Sequence, residues 1–592
     1  MNFLYNSKTN WQYLLIVAVL AVIVGKGAFL STKLVASFVE LLVVNQSEES
    51  KDNISDSSGT GDGVVDDSGN VAGYQGNADE FRALVVEFVR GVAESYFNEK
   101  VPEYSEELDI QGNWNVSVTI YHQGEIKGIG MGDSSVLFLA LNDAVKIALD
   151  DKRYDIDKES LEDVRFLIRF FYPPDQFSFI EHSGQGKELI GDLTVVRDLD
   201  KEFILQSIEQ GKEFLYRMMH EDEHGFYKKY DVLNDSFENR LYTVYSASII
   251  YTFLYVYDLT GDKEILEQVP VFTDFLLSMQ NTDESDEKYG AFHYSYFLNT
   301  EEKEPRFVVG TSALSIFTLL RMYDLTGDAK YLQSAELAGN WLTIMQNPNG
   351  SMKPYIEYSG GKWVTGVKES LLYNGQVLSA LSKLYLATGE EKYYNTAQGI
   401  AQRFAEKYEA AKGYIEGDYR TKNPISNSWV VMSYMDFYKT NKDDYYRDII
   451  FELSSKILTN QKNDKSDLKH YGGWKGAYSS SGTGWITEVM AETYLFCKEQ
   501  GREDCEKYKD AVVKAIRWLL QSTYSEENSF ILKNPERANG GVFWNASQRY
   551  VRTDSVCHVL NGYILIMDEL EEGLLLSVPE IPFDVILEKL TE

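Results

Sequence analysis

Three residues near the end of the chain have types and spacing suited to acid–base chemistry. Asp554 and His558 lie one turn apart on a predicted helix, so their side chains share a face, and Arg552 directly precedes that helix. An imidazole exchanges protons near neutral pH, and a guanidinium can clamp a carboxylate or a sugar hydroxyl. We predict that His558 and Asp554 are catalytic and that Arg552 binds substrate. The structural alternative is that Asp554 pairs with Arg552 while His558 packs in a helical wall.

Carboxylates also stand on other predicted helices. Glu369 is followed one turn later by Tyr373, and Glu488 by Glu492. An acid on the inward face of a packed helix is costly unless it is paired or functional, and two facing carboxylates perform inverting glycoside hydrolysis. We predict Glu369, Glu488 and Tyr373 as catalytic residues. Arg240, within the polar start of another helix, is a predicted substrate-binding residue.

Aromatic residues recur in long glycine-containing loops between the predicted helices. A sugar ring can stack on the flat face of such a side chain, so these loops predict a glycan groove. The structural alternative is that the rings plug or rim the fold. The predicted platforms are Tyr294, Tyr296, Tyr355, Tyr358, Trp474 and Trp544.

Composition and motifs exclude several other classes of function. The formal net charge of −34 argues against a nucleic-acid partner. Seven His and three Cys leave little room for a metal framework, so we predict no metal. Cys497 and Cys505 either form a disulfide or remain thiols. The chain has no phosphate loop, dinucleotide fingerprint or nucleophile elbow, and we predict no cofactor.

A repeated turn organises the helices that carry these residues. Residues 257–266 (YDLTGDKEIL) recur as 323–332 (YDLTGDAKYL) and 385–394 (YLATGEEKYY), with a degenerate copy at 438–447 (YKTNKDDYYR). Gly or Asn permits a left-handed exit from one helix, and the acid that follows caps the next helix. Each copy therefore predicts the tight turn of a helical hairpin, repeated as in a helical array.

Apolar residues fall at helical spacing from residue 201 to the end, which predicts six helical hairpins. Short turns and long loops alternate, so the long loops are expected to form one functional mouth. The predicted helices are 203–220, 241–257, 264–280, 310–323, 330–346, 370–387, 392–408, 426–438, 443–461, 484–498, 506–521 and 553–569.

This pattern resembles the six-hairpin toroid, the (α/α)6 barrel of many carbohydrate-active enzymes. The resemblance covers residues 201–569 and rests on the TGD turns and on the closing segment GGVFWNASQRYVRTDSVCH. Members of that class include inverting glycosidases, unsaturated-uronyl hydrolases, polysaccharide lyases and sugar epimerases. The resemblance thus implies a glycan substrate, but it does not choose among these reactions.

The first 79 residues predict attachment to a membrane. Residues 11–25 form an apolar run that is short for a spanning helix and has the length of a signal-peptide core, or of a signal anchor if the helix continues past Lys26. We predict an uncleaved anchor within 1–45, and the alternative is a cleaved signal peptide. Residues 46–79 are rich in Ser, Asp, Gly and Asn, which predicts a flexible acidic linker. The folded domains are then expected outside the cytoplasm.

Residues 80–200 predict a small α/β domain. A helix, the hairpin VTIYHQGEIKGIG, a second helix and the strand VRFLIRFFYPPD follow in that order. This order resembles the AMMECR-type domain, although the sequence KGIG stands where that family carries a Cys-containing signature.

The predicted fold is therefore multidomain: an anchor, an α/β domain and an all-α (α/α)6 barrel over 201–592. We predict a membrane-anchored protein that processes a polysaccharide or glycan as a uronyl epimerase, lyase or glycoside hydrolase. The alternative is a non-catalytic cell-surface protein that binds glycan or serves as a scaffold.

Overall fold

The computed structural model describes residues 74, 76–172, 175–182, 184–191, 193–417, 423–477, 479–579 and 585–588. The predicted anchor and all but the end of the predicted linker lie outside these residues. Within the described part of the chain, no helix is both long and apolar enough to span a bilayer.

The amino-terminal unit is a six-stranded antiparallel sheet with two helices. The strand order is β2-β1-β3-β4-β5-β6. The sequence predicted both helices and the first three strands, and it missed the strands that follow Pro173 and Pro174. The elements are α1 (Ala78–Phe97), β1 (Gln111–His122), β2 (Glu125–Val136), α2 (Leu137–Leu149), β3 (Arg165–Tyr172), β4 (Asp175–His182), β5 (Gln185–Ile190) and β6 (Leu193–Thr194), with 3-10 turns at Glu106–Leu108 and Glu159–Glu162.

Helix α1 begins at Ala78, inside the predicted linker. The Asn77 side chain accepts from the backbone amides of Asp79 and Glu80, and the Glu80 carboxylate accepts from the Asn77 amide. This reciprocal capping box fixes the first turn, so ordered structure starts before the expected boundary.

Alternate glycines of β2 allow helix α2 to lie directly on the sheet. A Cβ at Gly128, Gly130 or Gly132 would lie 2.1, 1.9 or 2.0 Å from a carbonyl oxygen of α2. Each contact is closer than any real Cβ contact, so only glycine fits on this face of the strand. The glycine at every second position of EIKGIGMG is therefore explained by the close packing of helix α2 against strand β2.

The remainder of the described chain is a toroid of six helical hairpins. Six inner helices form a closed ring, because each contacts the next and the last contacts the first. The outer helices are α3 (Lys201–Arg217), α5 (Lys263–Ser278), α7 (Ala329–Ile344), α9 (Glu391–Ala411), α11 (Asp444–Leu458) and α13 (Glu506–Leu520). The inner helices are α4 (Thr243–Thr260), α6 (Val309–Thr326), α8 (Leu371–Thr388), α10 (Pro424–Asn441), α12 (Ser480–Glu499) and α16 (Thr553–Ile566).

These twelve helices alternate as the sequence predicted, and the closed ring excludes an open solenoid. The last hairpin carries two additional one-turn helices in its long loop, α14 (Glu526–Ser529) and α15 (Pro535–Ala538), and a 3-10 turn (Met567–Glu569) follows α16.

The repeated turns have the predicted geometry. Gly261, Gly327 and Gly389 adopt left-handed φ values of 68°, 68° and 72°. Asp262 and Asp328 then cap the following helices through their side chains. In the degenerate fourth copy, the left-handed residue is Lys442 rather than the asparagine before it.

Short strands in the long loops lead directly into inner helices at the mouth. The strands are β8 (Lys229–Asp231), β9 (Ser236–Phe237), β10 (Arg240–Tyr242), β11 (Ser295–Phe297), β12 (Glu302–Lys303), β13 (Arg306–Val308), β14 (Tyr355–Ser359), β15 (Lys362–Thr365), β16 (Phe543–Asn545) and β17 (Gln548–Arg552). They form three small sheets with the orders β10-β11-β12, β13-β14-β15 and β16-β17-β8-β9. An inner helix begins at the residue directly after β10, after β13 and after β17.

The segment that follows the toroid contacts both folded parts. Strand β7 (Asp198–Asp200) pairs antiparallel with β18 (Leu574–Ser577). Further along the chain, Ile586 and Leu587 pack in the core of the α/β unit. The chain therefore returns to its amino-terminal domain after completing the toroid.

Candidate functional site

A cavity of about 480 Å³ lies inside the ring of inner helices. This volume falls in the range of roughly 300–1,000 Å³ that is usual for small-molecule sites. All six inner helices contribute to its lining. Its aromatic lining residues are Tyr245, Tyr251, Tyr255, Tyr294, Phe317, Tyr373, Trp429, Trp485 and Trp544.

Two adjacent inner helices contribute a hydrogen-bonded pair of polar side chains to the cavity lining. His558 Nδ1 on α16 donates to Glu488 Oε2 on α12 at 2.7 Å. Asn561 Nδ2 donates to the other oxygen, Glu488 Oε1, at 3.1 Å. A hydrogen bond to one imidazole nitrogen fixes the tautomer and leaves the other as the acceptor. This arrangement suits His558 to accept a proton through Nε2.

Arg552 is held by an acid at the mouth of the same cavity. Its Nε and Nη2 donate to the two oxygens of Asp554 at 2.9 and 2.8 Å, and Nη2 also donates to Tyr245 OH at 3.0 Å. Ser481 Oγ donates to Asp554 at 2.9 Å. Burial alone would lower the pKa of Arg552, but the Asp554 carboxylate raises it well above its ordinary value.

Tryptophans form one wall of the cavity beside His558. Trp429 and Trp485 stack with centroids 3.7 Å apart, and Trp485 meets the His558 ring edge-on at 5.0 Å. The Arg552 guanidinium lies 4.6 Å above the Trp544 ring. Flat apolar faces thus adjoin the proton-transfer group.

A second set of polar side chains lines the cavity further along the inner helices, towards the short turns. We call Tyr251, Tyr255, Lys383, Asp436, Lys439 and Glu492 the inner cluster. Lys383 Nζ lies 2.8 Å from Asp436 Oδ1, and Lys439 Nζ lies 3.5 Å from the same oxygen. Although burial raises the pKa of Asp436, the two ammonium groups lower it overall.

The structure brings seven of the predicted site residues to this cavity: His558, Asp554, Glu488, Tyr373, Arg552, Tyr294 and Trp544. The structural alternative for Asp554 is also seen, since it does pair with Arg552. Asp554 therefore both pairs with Arg552 and lines the cavity.

Glu369 is not among the residues that line the cavity. It precedes α8 and lies between Lys407 Nζ at 2.7 Å and Arg403 Nε at 3.4 Å, both on outer helix α9. Asn374 Nδ2 also donates to it at 3.3 Å. This carboxylate joins an inner helix to an outer one.

Several predicted binding residues also lie away from the cavity lining. The ring of Trp474 is fully buried in the core, so it offers no face to a sugar. Arg240 lies over Phe297 at 4.2 Å and 3.5 Å from Glu304. Tyr296 donates to Glu223 at 3.4 Å. Tyr355 on β14 lies beneath the Arg306 guanidinium, and Tyr358 is half exposed on the same strand.

Sequence reasoning missed several lining residues of the inner helices. Tyr245, Trp429 and Trp485 look like ordinary core residues, because a helix inside the toroid is apolar around most of its circumference. Charge was the available signal for the others: Lys383 and Asp436 lie within otherwise apolar helical segments. Such residues are costly to bury unless they pair.

Among the described residues, no three His, Cys, Asp or Glu side chains are grouped as metal ligands. Cys497 at the end of α12 and Cys505 before α13 form a disulfide, which resolves the alternative left open by the sequence. Cys557 is a buried free thiol whose pKa is raised by burial.

Comparisons with known proteins give limited similarity. No family model matches the chain, so the AMMECR-type resemblance receives no support. A cellodextrinase from Butyrivibrio fibrisolvens is 31% identical over 172 residues, covering 26% of this chain and 30% of that protein. The match therefore spans less than a third of this curated relative.

Among solved structures, the cellobiose 2-epimerase of Bacillus thermoamylovorans has 14% identity and a TM-score of 0.48, covering 62% of this chain and 100% of that chain. An unsaturated glucuronyl hydrolase specific for heparin has 12% identity and a TM-score of 0.45, and the match covers 63% of this chain and 99% of that chain. An α-1,6-mannanase variant of Salegentibacter has 12% identity and a TM-score of 0.44, and the match covers 62% of this chain and 99% of that chain. The six-hairpin (α/α)6 toroid of this chain follows from its own ring of helix contacts.

Proposed function

We propose that this protein is a carbohydrate-active enzyme that hydrolyses a neutral oligosaccharide in the toroid cavity. The observation that carries the proposal is the 2.7 Å hydrogen bond from His558 to Glu488 inside a cavity lined by tryptophans and tyrosines. The pair supplies an oriented proton acceptor, and the aromatic lining supplies surfaces for sugar rings. The cellodextrinase relative makes cello-oligosaccharides the first substrates to test.

Charge pairing favours a neutral sugar over a uronic acid. Among the described lining residues, the cations are Lys383, Lys439 and Arg552, and each faces a carboxylate of Asp436 or Asp554. A uronate carboxylate would have to compete with these acids for its counter-charge. An uncharged sugar needs hydrogen bonds and stacking, both of which this lining provides.

In this proposal, His558 Nε2 accepts a proton from the water that attacks the anomeric carbon. Glu488 orients the ring and stabilises the imidazolium that forms, as a carboxylate does for a catalytic histidine. Asn561 holds the other oxygen of Glu488, so the carboxylate keeps its position. The departing sugar oxygen requires a separate proton donor.

Epimerisation is a second candidate reaction, favoured by one specific observation. The oriented proton acceptor of the cavity is an imidazole rather than a carboxylate, since Glu488 and Asp554 are both engaged by neighbours. An imidazole can remove a proton beside a sugar carbonyl, and return of a proton to the opposite face of the resulting enediolate inverts the stereocentre. Product structure distinguishes this reaction from hydrolysis.

We also propose that the protein is membrane-anchored, with its folded part outside the cytoplasm. The apolar run at 11–25 supports the anchor. The disulfide between Cys497 and Cys505 supports an oxidising compartment. Protease accessibility of the folded domains on intact cells tests this placement.

The function is tested with the purified full-length chain and three sets of oligosaccharides: cello-, manno- and glucuronate-containing. New reducing ends report hydrolysis, ultraviolet absorbance reports a lyase product, and proton NMR reports an epimer. We expect hydrolysis of a neutral set, and we expect His558→Gln to lower its rate by roughly 10²–10⁴-fold. Saccharide binding without any product would instead support the non-catalytic alternative.

A further inference from the structure

The cavity contains a carboxyl group that the proposed His558–Glu488 pair does not use. Glu492 lies one turn after Glu488 on α12, so the two side chains share the inward face of the helix. Both line the cavity. Glu488 is engaged by His558 and Asn561, whereas Glu492 has no hydrogen bond or ion pair among the described residues.

The cations nearest to Glu492 are already engaged. Lys383 and Lys439 both direct their ammonium groups at Asp436, at 2.8 and 3.5 Å. Glu492 therefore lies beside two lysines without forming a salt bridge to either. Because no hydrogen bond or salt bridge holds the Glu492 carboxyl group among the described residues, it can exchange a proton with a ligand in the cavity.

The surroundings of Glu492 favour its protonated form. Burial raises its pKa above the ordinary value, and the charges of Asp436 and Glu488 add to this effect, while the two lysines oppose it. The groups coupled to it through their charges are Tyr251 and Tyr255 on α4, Lys383 on α8, Asp436 and Lys439 on α10, and Glu488 on its own helix α12. His558 on α16 lines the same cavity.

We propose that Glu492 is the proton donor to the leaving sugar in the hydrolysis proposed above, on which this inference rests. As the bond between the anomeric carbon and the glycosidic oxygen breaks, its electron pair stays on that oxygen, which takes the Glu492 proton. Water forms the new bond to the anomeric carbon and gives its proton to His558 Nε2. The products are two sugars, a Glu492 carboxylate and an imidazolium, and proton exchange with solvent restores both groups.

This assignment predicts the stereochemical course. A retaining mechanism needs a second free carboxylate as nucleophile, close to the acid. The other three carboxylates that line the described cavity are each engaged: Glu488 by His558, Asp554 by Arg552 and Asp436 by the two lysines. Hydrolysis should therefore invert the configuration of the anomeric carbon, which proton NMR of fresh product records.

The decisive experiment compares Glu492→Gln with the wild type on two substrates of the same sugar. One is the neutral oligosaccharide that the wild type cleaves, and the other is its 4-nitrophenyl glycoside, whose leaving group departs without protonation. We expect Glu492→Gln to lower turnover of the oligosaccharide by roughly 10²–10⁴-fold, the usual contribution of a general acid. Turnover of the nitrophenyl glycoside should fall far less.

Glu499→Gln is the matched control, because Glu499 is an exposed glutamate at the end of the same helix. It should leave both activities unchanged. Equal losses on both substrates in Glu492→Gln would assign Glu492 a structural role and overturn the inference, as would full activity on both. A wild type that processes no saccharide would overturn the proposed function and this inference together, so the two failures are distinguishable.

Discussion

Glu488 and His558 lie on adjacent inner helices and are joined by a 2.7 Å hydrogen bond that leaves neither oxygen of the carboxylate free, since Asn561 donates to the second. Glu488 as a whole residue is only 6% exposed. A buried charge is stable in such a place when its partners are fixed. The position of the His558 ring is thus determined by the wall of the toroid itself.

The first prediction separates the catalytic and structural roles of His558. His558→Gln should lower turnover by roughly 10²–10⁴-fold, because the amide cannot accept the proton. The melting temperature should change little, because the amide nitrogen can still donate to Glu488. Turnover and thermal unfolding are measured on the same preparation.

His558→Ala supplies the contrast. It leaves one oxygen of the buried Glu488 without a partner, so we expect a loss of about 1–3 kcal/mol in the free energy of unfolding. A His558→Gln variant that is unstable but fully active while folded would contradict the catalytic assignment.

The second prediction concerns Asp554 and the sign of charge at the mouth. Asp554→Asn removes the carboxylate that neutralises Arg552, so the guanidinium becomes available to a substrate carboxylate. Hydrogen bonds to charged groups contribute about 1.5–3 kcal/mol, so a glucuronate-containing oligosaccharide should bind at least roughly tenfold tighter. Calorimetric binding of matched neutral and uronate oligosaccharides measures this change.

Ser481→Ala is the control for that variant, because it removes a hydrogen bond to Asp554 without changing charge. Its preference between the two ligands should match that of the wild type. Unchanged uronate affinity in Asp554→Asn would contradict the role assigned to the Arg552–Asp554 pair.

The architecture was predictable from local signals. The turn at Gly261 is specified by two neighbouring residues, the left-handed glycine and the acid that caps the next helix. The helical spacing of apolar residues likewise extends over the whole length of each helix. The same locality explains why the start of α1 was misplaced: the capping pair Asn77 and Glu80 lies in a segment whose overall composition is that of a linker.

The site was only partly predictable, because partners in it come from distant segments. Glu488 and Glu369 look alike in sequence, as acids near predicted inner helices. The register of the outer helix α9 decides that Arg403 and Lys407 engage Glu369, while α16 brings His558 to Glu488. Nothing within either local segment encodes which neighbour arrives.

The third prediction tests the contact between the sheet and helix α2. Gly130→Ala would place a methyl group 1.9 Å from the carbonyl oxygen of Ala144, so the helix must move away from the strand. We expect a loss of about 1–3 kcal/mol or more in the free energy of unfolding, the usual result of overpacking. Urea denaturation monitored by circular dichroism measures it.

Gly91→Ala is the matched control within the same domain. Gly91 lies in helix α1, and apart from its chain neighbours and the backbone of its own helix no atom lies within 4 Å of the Cβ it would gain. Alanine is favoured over glycine in a helix by roughly 0.5–1 kcal/mol, so this variant should be slightly more stable. Equal effects of the two substitutions would contradict the packing described for β2 and α2.

The fourth prediction concerns the disulfide that links α12 to α13. Replacing Cys497 and Cys505 with Ser opens a loop with a sequence separation of 8. The loss of this short cross-link should lower the free energy of unfolding by roughly 2–3 kcal/mol. Reducing agent should destabilise the wild type by a similar amount and leave the double variant unaffected. If reducing agent did not change the free energy of unfolding of the wild type, the predicted contribution of the disulfide would be wrong.

The last prediction concerns the pH dependence of stability that Glu492 imposes. Burial raises the pKa of Glu492 above its ordinary value of 4.5 in the folded protein. As the pH rises through 4.5 towards the folded pKa, the unfolded chain releases this proton while the folded protein retains it. The folded state then binds more protons, so the contribution of Glu492 to the free energy of unfolding falls over that interval. Below pH 4.5 both states are protonated and the contribution is constant.

Glu492→Gln has nearly the same shape but does not titrate, so its stability relative to the wild type should increase across the interval and then level off. Denaturant unfolding of both proteins at a series of pH values measures the difference. Glu499→Gln, at an exposed site, should show no such trend. If the Glu492→Gln difference instead decreased with pH, the folded protein would favour the ionised carboxylate, and Glu492 would be unsuited to donate a proton.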